Sequence, residues 1–90
     1  MSFNRINAYH VMWLFVFFDL PVLTKPQRKQ ATQFRKALEK DGFSMMQFSV
    51  YVRHCPSKEN MEVHVKRVRL ALPAVGQVSI LAVTDKQYSE

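Results

Sequence analysis

The apolar and polar positions divide the chain into strand and helix segments separated by clear breaks. Met12-Trp13-Leu14-Phe15-Val16-Phe17-Phe18 is a continuous run of aromatic, branched and other apolar residues. Such a run suits a central strand covered on both faces better than an alternating, half-exposed one. It stops at Asp19, and Leu20–Thr24, with Pro21, reads as a loop. Thr24 can cap a helix and Pro26 fits its first turn, so a helix is predicted over Lys25–Lys40. Ala31, Phe34 and Leu38 fall on its inner side, while Lys25, Arg28, Lys29, Thr32, Arg35 and Lys36 fall outward. Gly42 is placed to close it in the left-handed conformation.

Phe43–His54 alternates, with Met46, Phe48, Val50 and Val52 on one face and Gln47, Ser49, Tyr51 and Arg53 on the other. It reads either as one long strand or as two short ones joined at a kink. Pro56-Ser57 breaks it, and Ser57 can cap a second helix over Lys58–Leu72. Met61, Val65, Val68 and Leu72 are its expected buried stripe. Pro73 and Gly76 end that helix, Val78–Thr84 is a last apolar strand, and Asp85–Glu90 is a polar tail. The order predicts an α+β, ferredoxin-like two-layer sandwich, βαββαβ, with two helices on one face of a small sheet. Residues 1–90 form one domain, with residues 1–11 as an N-terminal arm. Two helices cover only one face of the sheet, so the continuous apolar strand calls for a second layer. A symmetric homodimer is the economical source.

Composition narrows the classes. Thirteen Lys and Arg against seven Asp and Glu give a net charge of +6, which favours an acidic partner such as nucleic acid. Six of these basic residues (Lys25, Arg28, Lys29, Arg35, Lys36 and Lys40) lie in the first helix, opposed there only by Glu39. The single cysteine, Cys55, excludes an intrachain disulfide framework or cysteine zinc site and points to a reducing, cytoplasmic compartment. Neither His10 nor His64 has metal-ligand spacing. The eight-residue run Val11–Phe18 is too short to span a membrane, and Arg5 before it makes only a faint imitation of a signal peptide. With two glycines there is no phosphate-binding glycine loop. An RNA-recognition sheet would expose paired aromatics, and Tyr51 is the one aromatic on the polar face of the middle strand.

Asp19 is the acid that stands out, at the end of a strand of apolar residues. A strand-end carboxylate can be a simple cap, or it can bind a divalent cation. Mg²⁺ needs only one or two carboxylates when waters and substrate phosphate complete its shell. A two-fold axis near the strand end would pair two Asp19 side chains. No second acid of the chain makes a better partner for Asp19, and Glu39, Asp41 and Asp85 sit at element ends.

The strand ending Phe17-Phe18-Asp19-Leu20-Pro21, the basic helix with Arg28-Lys29 and Phe34-Arg35-Lys36, the string Gly42-Phe43-x-Met45-x-Gln47-Phe48-Ser49-Val50-Tyr51 and the ending Ile80-Leu81-x-Val83-Thr84-Asp85-Lys86-Gln87 together carry a resemblance. They resemble the small CRISPR-associated subunit of the spacer-acquisition machinery, the integrase partner, in its type II version. The resemblance covers about residues 12–88. It implies a ferredoxin-like homodimer in antiviral defence, with Asp19 as the metal-binding and catalytic acid across the dimer interface. It also implies an endonuclease activity on RNA or duplex DNA in some members, and a scaffold that bridges integrase subunits while holding a short DNA duplex by its backbone. The residues it places against nucleic acid are Lys25, Arg28 and Lys29, early in the first helix, and more weakly Lys58 at the second helix start; Arg35 and Lys36 join them as candidates from the basic face of the first helix. Family members continue with a further strand that pairs with the partner subunit, whereas this sequence ends at Glu90. Ser49 is expected to serve strand packing rather than catalysis.

Overall fold

The computed structural model describes residues 11–89. The sequence readings that concern Arg5, His10 and the N-terminal arm fall largely outside them. The elements are β1 (Met12–Asp19), α1 (Lys25–Lys40), β2 (Ser44–Gln47), β3 (Val50–Cys55), α2 (Lys58–Leu70), β4 (Gln77–Thr84) and α3 (Asp85–Ser89). The four strands form one sheet in the order β2-β3-β1-β4, with every neighbouring pair antiparallel. This is the ferredoxin-like βαββαβ arrangement, with the apolar β1 paired on both edges, as its composition predicts.

Local signals set the ends. Thr24 and Gln27 form a reciprocal capping box at the start of α1: the Thr24 hydroxyl accepts from the Gln27 N–H, and the Gln27 side chain accepts from the Thr24 N–H. Gly42 takes φ +89° just past the helix end, and Gly76 takes φ +101° in the turn into β4. Ser57 caps α2, which ends at Leu70 rather than Leu72. The polar tail is not extended. Thr84 and Gln87 build a second reciprocal cap, and Asp85–Ser89 turns into the short helix α3.

Alternation gives the sheet two unlike faces. Leu14, Val16 and Phe18 of β1 point toward the helices and are buried with Ala31, Phe34 and Leu38 of α1, Phe43, Tyr51 and Cys55, and Val68 of α2. The Phe18 ring meets Phe34 edge-on at 5.2 Å and lies 5.7 Å from Tyr51. On the other face stand Trp13, Phe15, Phe17 and Asp19, which pair with Val83, Leu81, Ser79 and Gln77 of β4. No described helix of length covers this second face. Phe17 is 40% exposed and Leu81 50%.

The middle of the chain corrects the sequence reading twice. Phe43–His54 is a hairpin, with β2 and β3 joined at Phe48-Ser49 and the register shifted between Met45 and Gln47. The side taken as polar is then the buried one. Tyr51 and Cys55 lie in the core, whereas Val50 and Val52 belong to the open face with Phe17 and Phe15. Tyr51 tolerates burial because its hydroxyl donates to Glu39 Oε2 at 3.4 Å. Burial raises its pKa, Glu39 adds to that and Arg35 partly opposes it. The second correction is in α2, where Leu72 lies beyond the helix, 45% exposed, and His64 is buried instead.

Candidate functional site

Asp19 is the last residue of β1, exposed, on the open face. It sits over a shallow depression of about 280 Å³ lined also by Phe17, Ser49, Val50, Gln77 and Ser79. Two close approaches shape this corner. The Phe18 N–H donates to the Ser49 carbonyl at 3.0 Å, drawing the β2–β3 turn against the strand end. This backbone contact fixes the position of Ser49 at the strand end. On the other side, a Cβ on Gly76 would lie 2.9 Å from the Asp19 carbonyl oxygen, so that turn needs glycine for space as well as for φ. Arg28 steadies the loop after Asp19 by donating from Nη1 to the carbonyls of Val22 and Leu23, at 3.2 and 3.1 Å.

The oxygen-bearing side chains among the residues that line this depression are those of Asp19, Ser49, Ser79 and Gln77. Oxygen donors of this kind suit a hard, partly hydrated cation such as Mg²⁺. One chain supplies one carboxylate there, and among the described residues no three His, Cys, Asp or Glu side chains gather around a common point.

The cationic surface is the outer side of α1. Lys25, Arg28, Lys29, Thr32, Gln33 and Lys36 line an open groove of about 440 Å³. Lysine ammoniums on flexible stems have the chemistry to follow a row of phosphates without base readout. Arg35 has a different setting. Its guanidinium carbon lies 3.9 Å from the centroid of the Phe48 ring and 5.7 Å from that of Phe18, and its Nε donates to the Phe48 carbonyl at 3.4 Å. Lys58 is exposed at the first position of α2. The antiparallel pairing puts the end of β3, and so Lys58, at the Met12 end of β1, away from Asp19 and Lys25.

A second polar group, which sequence reasoning missed, joins the two helices to the sheet. His64, 4% exposed, places Nδ1 2.7 Å from Asp41 Oδ2 and Nε2 2.8 Å from Arg53 Nη2. Arginine can only donate, so Nε2 accepts and Nδ1–H is donated to Asp41. Arg67 Nη1 donates to the other Asp41 oxygen at 2.8 Å. Burial raises the Asp41 pKa, but the hydrogen bonds from His64 and Arg67 outweigh it, and the net shift is downward. A Cβ on Gly42 would come 2.9 Å from Arg53 Nη1, so the glycine also makes room for this guanidinium. Neighbouring Cys55 is buried and its thiol pKa is raised, first by burial, which does not suit a nucleophile. The sequence separations of 23 and 11 residues hide this cluster from any local pattern. Asp85 accepts the Trp13 indole N–H at 2.8 Å.

No helix among the described residues is long and apolar enough to cross a membrane. Curated proteins similar to the chain share one description. A CRISPR-associated endoribonuclease Cas2 of Flavobacterium psychrophilum is 52% identical over 86 residues, covering 96% of this chain and 75% of that protein. One of Parvibaculum lavamentivorans is 54% identical over 77 residues, covering 86% and 76%. One of Paracidovorax avenae is 52% identical over 83 residues, covering 92% and 77%. Residues 12–90, from the first strand through the strand-end aspartate, the cationic helix and the hairpin, match the family model described as CRISPR associated protein Cas2, and the chain belongs to that family.

Proposed function

We propose that this protein acts in CRISPR spacer acquisition as a dimeric scaffold that holds a short DNA duplex by phosphate contacts and bridges integrase subunits. The observation that carries this reading is the opposition of two surfaces on one small fold. The open sheet face is apolar and only partly covered, and the outer side of α1 is cationic. Two copies packed through their sheets would leave both α1 helices on the outside, each with its cationic side open to a duplex. Lys25, Lys29 and Lys36 supply its mobile charges, Arg28 contributes from a partly committed position, and Lys58 adds charge at the far end.

Binding of this kind is insensitive to sequence and steep in salt. With about eight phosphate contacts per dimer, the log–log slope of affinity against salt is on the order of −7. Filter binding of a blunt duplex across a salt series tests this, and a flat response overturns it. Charge reversal at Lys25, Lys29 and Lys36 together should flatten the slope by about 5, since each dimer loses six contacts.

The position of Asp19 favours a second reading for the same dimer, a Mg²⁺-dependent endonuclease. Asp19 lies on the open face, so a sheet-to-sheet dimer would bring two carboxylates toward one axis, where a cation relieves their repulsion. Mg²⁺ held there would polarise a phosphodiester and activate water. Asp19 would hold the ion, while Ser49, Ser79 and Gln77 would orient substrate oxygens or bound water. The curated relatives are described as endoribonucleases, which makes RNA the first substrate to try. In the Asp19→Asn variant, loss of cleavage with duplex binding intact supports this reading, and unchanged cleavage overturns it.

A further inference from the structure

We propose that Phe48 is a nucleobase-stacking platform, on which one unpaired base of a single-stranded nucleic acid lies against the open face of the ring. The inference rests on the nucleic-acid reading above and adds to it a ligand form and a residue. Phe48 sits at the tip of the β2–β3 hairpin and is 67% exposed, among the most exposed of the large apolar side chains. An exposed ring at a hairpin tip is ordinarily free to swing, but this one is held. The Arg35 guanidinium lies 3.9 Å from its centroid, and the same side chain bonds the Phe48 carbonyl through Nε at 3.4 Å. Arg35 is itself placed against the buried Phe18 ring, at 5.7 Å. The order is therefore core ring, guanidinium, exposed ring, with the next place in the stack facing solvent.

That next place suits a nucleobase more than an apolar side chain. A base offers a flat π-face, and aromatic stacking is how single strands are held without sequence readout. The cation beneath the ring favours an anionic polymer, and Arg35 shares α1 with the lysines of the phosphate groove. Arg28, seven residues earlier, lies on the same flank of that helix. A strand whose backbone follows this flank of α1 thus passes beside the ring. Intact duplex has its base faces already stacked, so the ligand is a single strand or an unpaired end. Because the ring is ordered before binding, little entropy is lost in using it.

Met45 and Met46, both about half exposed, flank the turn and make protein docking the rival use of the same patch. The test separates the two. A 12-nucleotide single strand with a central 2-aminopurine and a blunt duplex of the same sequence are titrated with the wild-type chain and with Phe48→Ala, Phe48→Leu and Phe48→Trp. Phe48→Ala and Phe48→Leu should each weaken the single strand about 5- to 100-fold. Phe48→Trp should hold it and quench the 2-aminopurine, and the duplex should change less than about twofold throughout. Wild-type affinity in Phe48→Leu shows that bulk suffices, and overturns the proposal. So does an equal loss on duplex, or wild-type binding of duplex without single strand; these outcomes leave the scaffold reading intact. Binding of neither form by the wild type removes both readings. A change in sedimenting mass in Phe48→Ala with unchanged oligonucleotide binding assigns the patch to a protein partner, and also overturns the platform.

Discussion

The two faces of the sheet are built from the same strand and have opposite fates. Along β1, Leu14, Val16 and Phe18 alternate with Trp13, Phe15 and Phe17, and both sets are fully apolar. The first set is sealed beneath α1 and α2. The second is covered only in part. At the Met12 end, Tyr88 of α3 stacks on Trp13 at 4.2 Å and stands 5.8 Å from Phe15, while Phe17 and Leu81 at the other end stay exposed. Hydrophobicity along β1 therefore has two outcomes: one face folds the chain, and the other is left partly open.

The largest effect should come from cutting the sealed face. Leu14→Ala should cost about 3–5 kcal/mol in urea unfolding, because it leaves a cavity where Leu14 is wholly buried. Phe17→Ala, measured at the same dilute concentration, should cost less than about 1.5 kcal/mol, because its ring is already partly in water. Equal losses would erase the distinction between the faces.

The polar cluster under the helices comes next. Asp41→Asn should cost about 1–3 kcal/mol, since it weakens the partners left for a buried imidazole and for Arg67. The pH dependence follows from the same carboxylate. Its pKa is lowered in the folded chain, so its contribution is fully present above its ordinary value of 3.8 and is lost as pH falls through the lower folded value. Thermal unfolding from pH 6 down to pH 2 should show this acid-side loss in the wild type and a smaller one in Asp41→Asn. Parallel curves would remove Asp41 from the account.

The smallest effect belongs to the partial cover. Tyr88→Ala should cost about 0.5–1.5 kcal/mol and should shift the Trp13 fluorescence toward that of an exposed indole. An unmoved emission maximum would show that α3 does not lie on this face in solution.

These contrasts also mark what was legible in the sequence. β1 and α1 could be read almost to the residue, because an unbroken apolar run, a Thr cap with Pro behind it and a closing glycine are all local signals. Asp19 could be singled out for the same reason, as the acid that ends the run. The break of Phe43–His54 into two strands was one of the two readings its alternation allowed, but the buried side was not legible, because β3 sets Val50 and Val52 on the open face and Tyr51 with Arg53 toward the helices. The burial of His64 was hidden too, because Asp41 and Arg53, which bond its two ring nitrogens, lie 23 and 11 residues away. The five residues of α3 were too short and too polar for periodicity, although Thr84 and Gln87 repeat the spacing of Thr24 and Gln27. Arg35 was read as one more outward cation, because nothing in helical spacing reveals the Phe48 ring beside it.

The account rests on the open face being where a second copy sits. Sedimentation equilibrium of the wild-type chain and of Phe17→Lys tests this directly. The wild type should sediment at twice its 10.6 kDa chain mass, and Phe17→Lys should fall to the single-chain mass with its circular dichroism unchanged. A wild-type chain that stays monomeric at high micromolar concentration, or a dimer indifferent to the lysine, would contradict it.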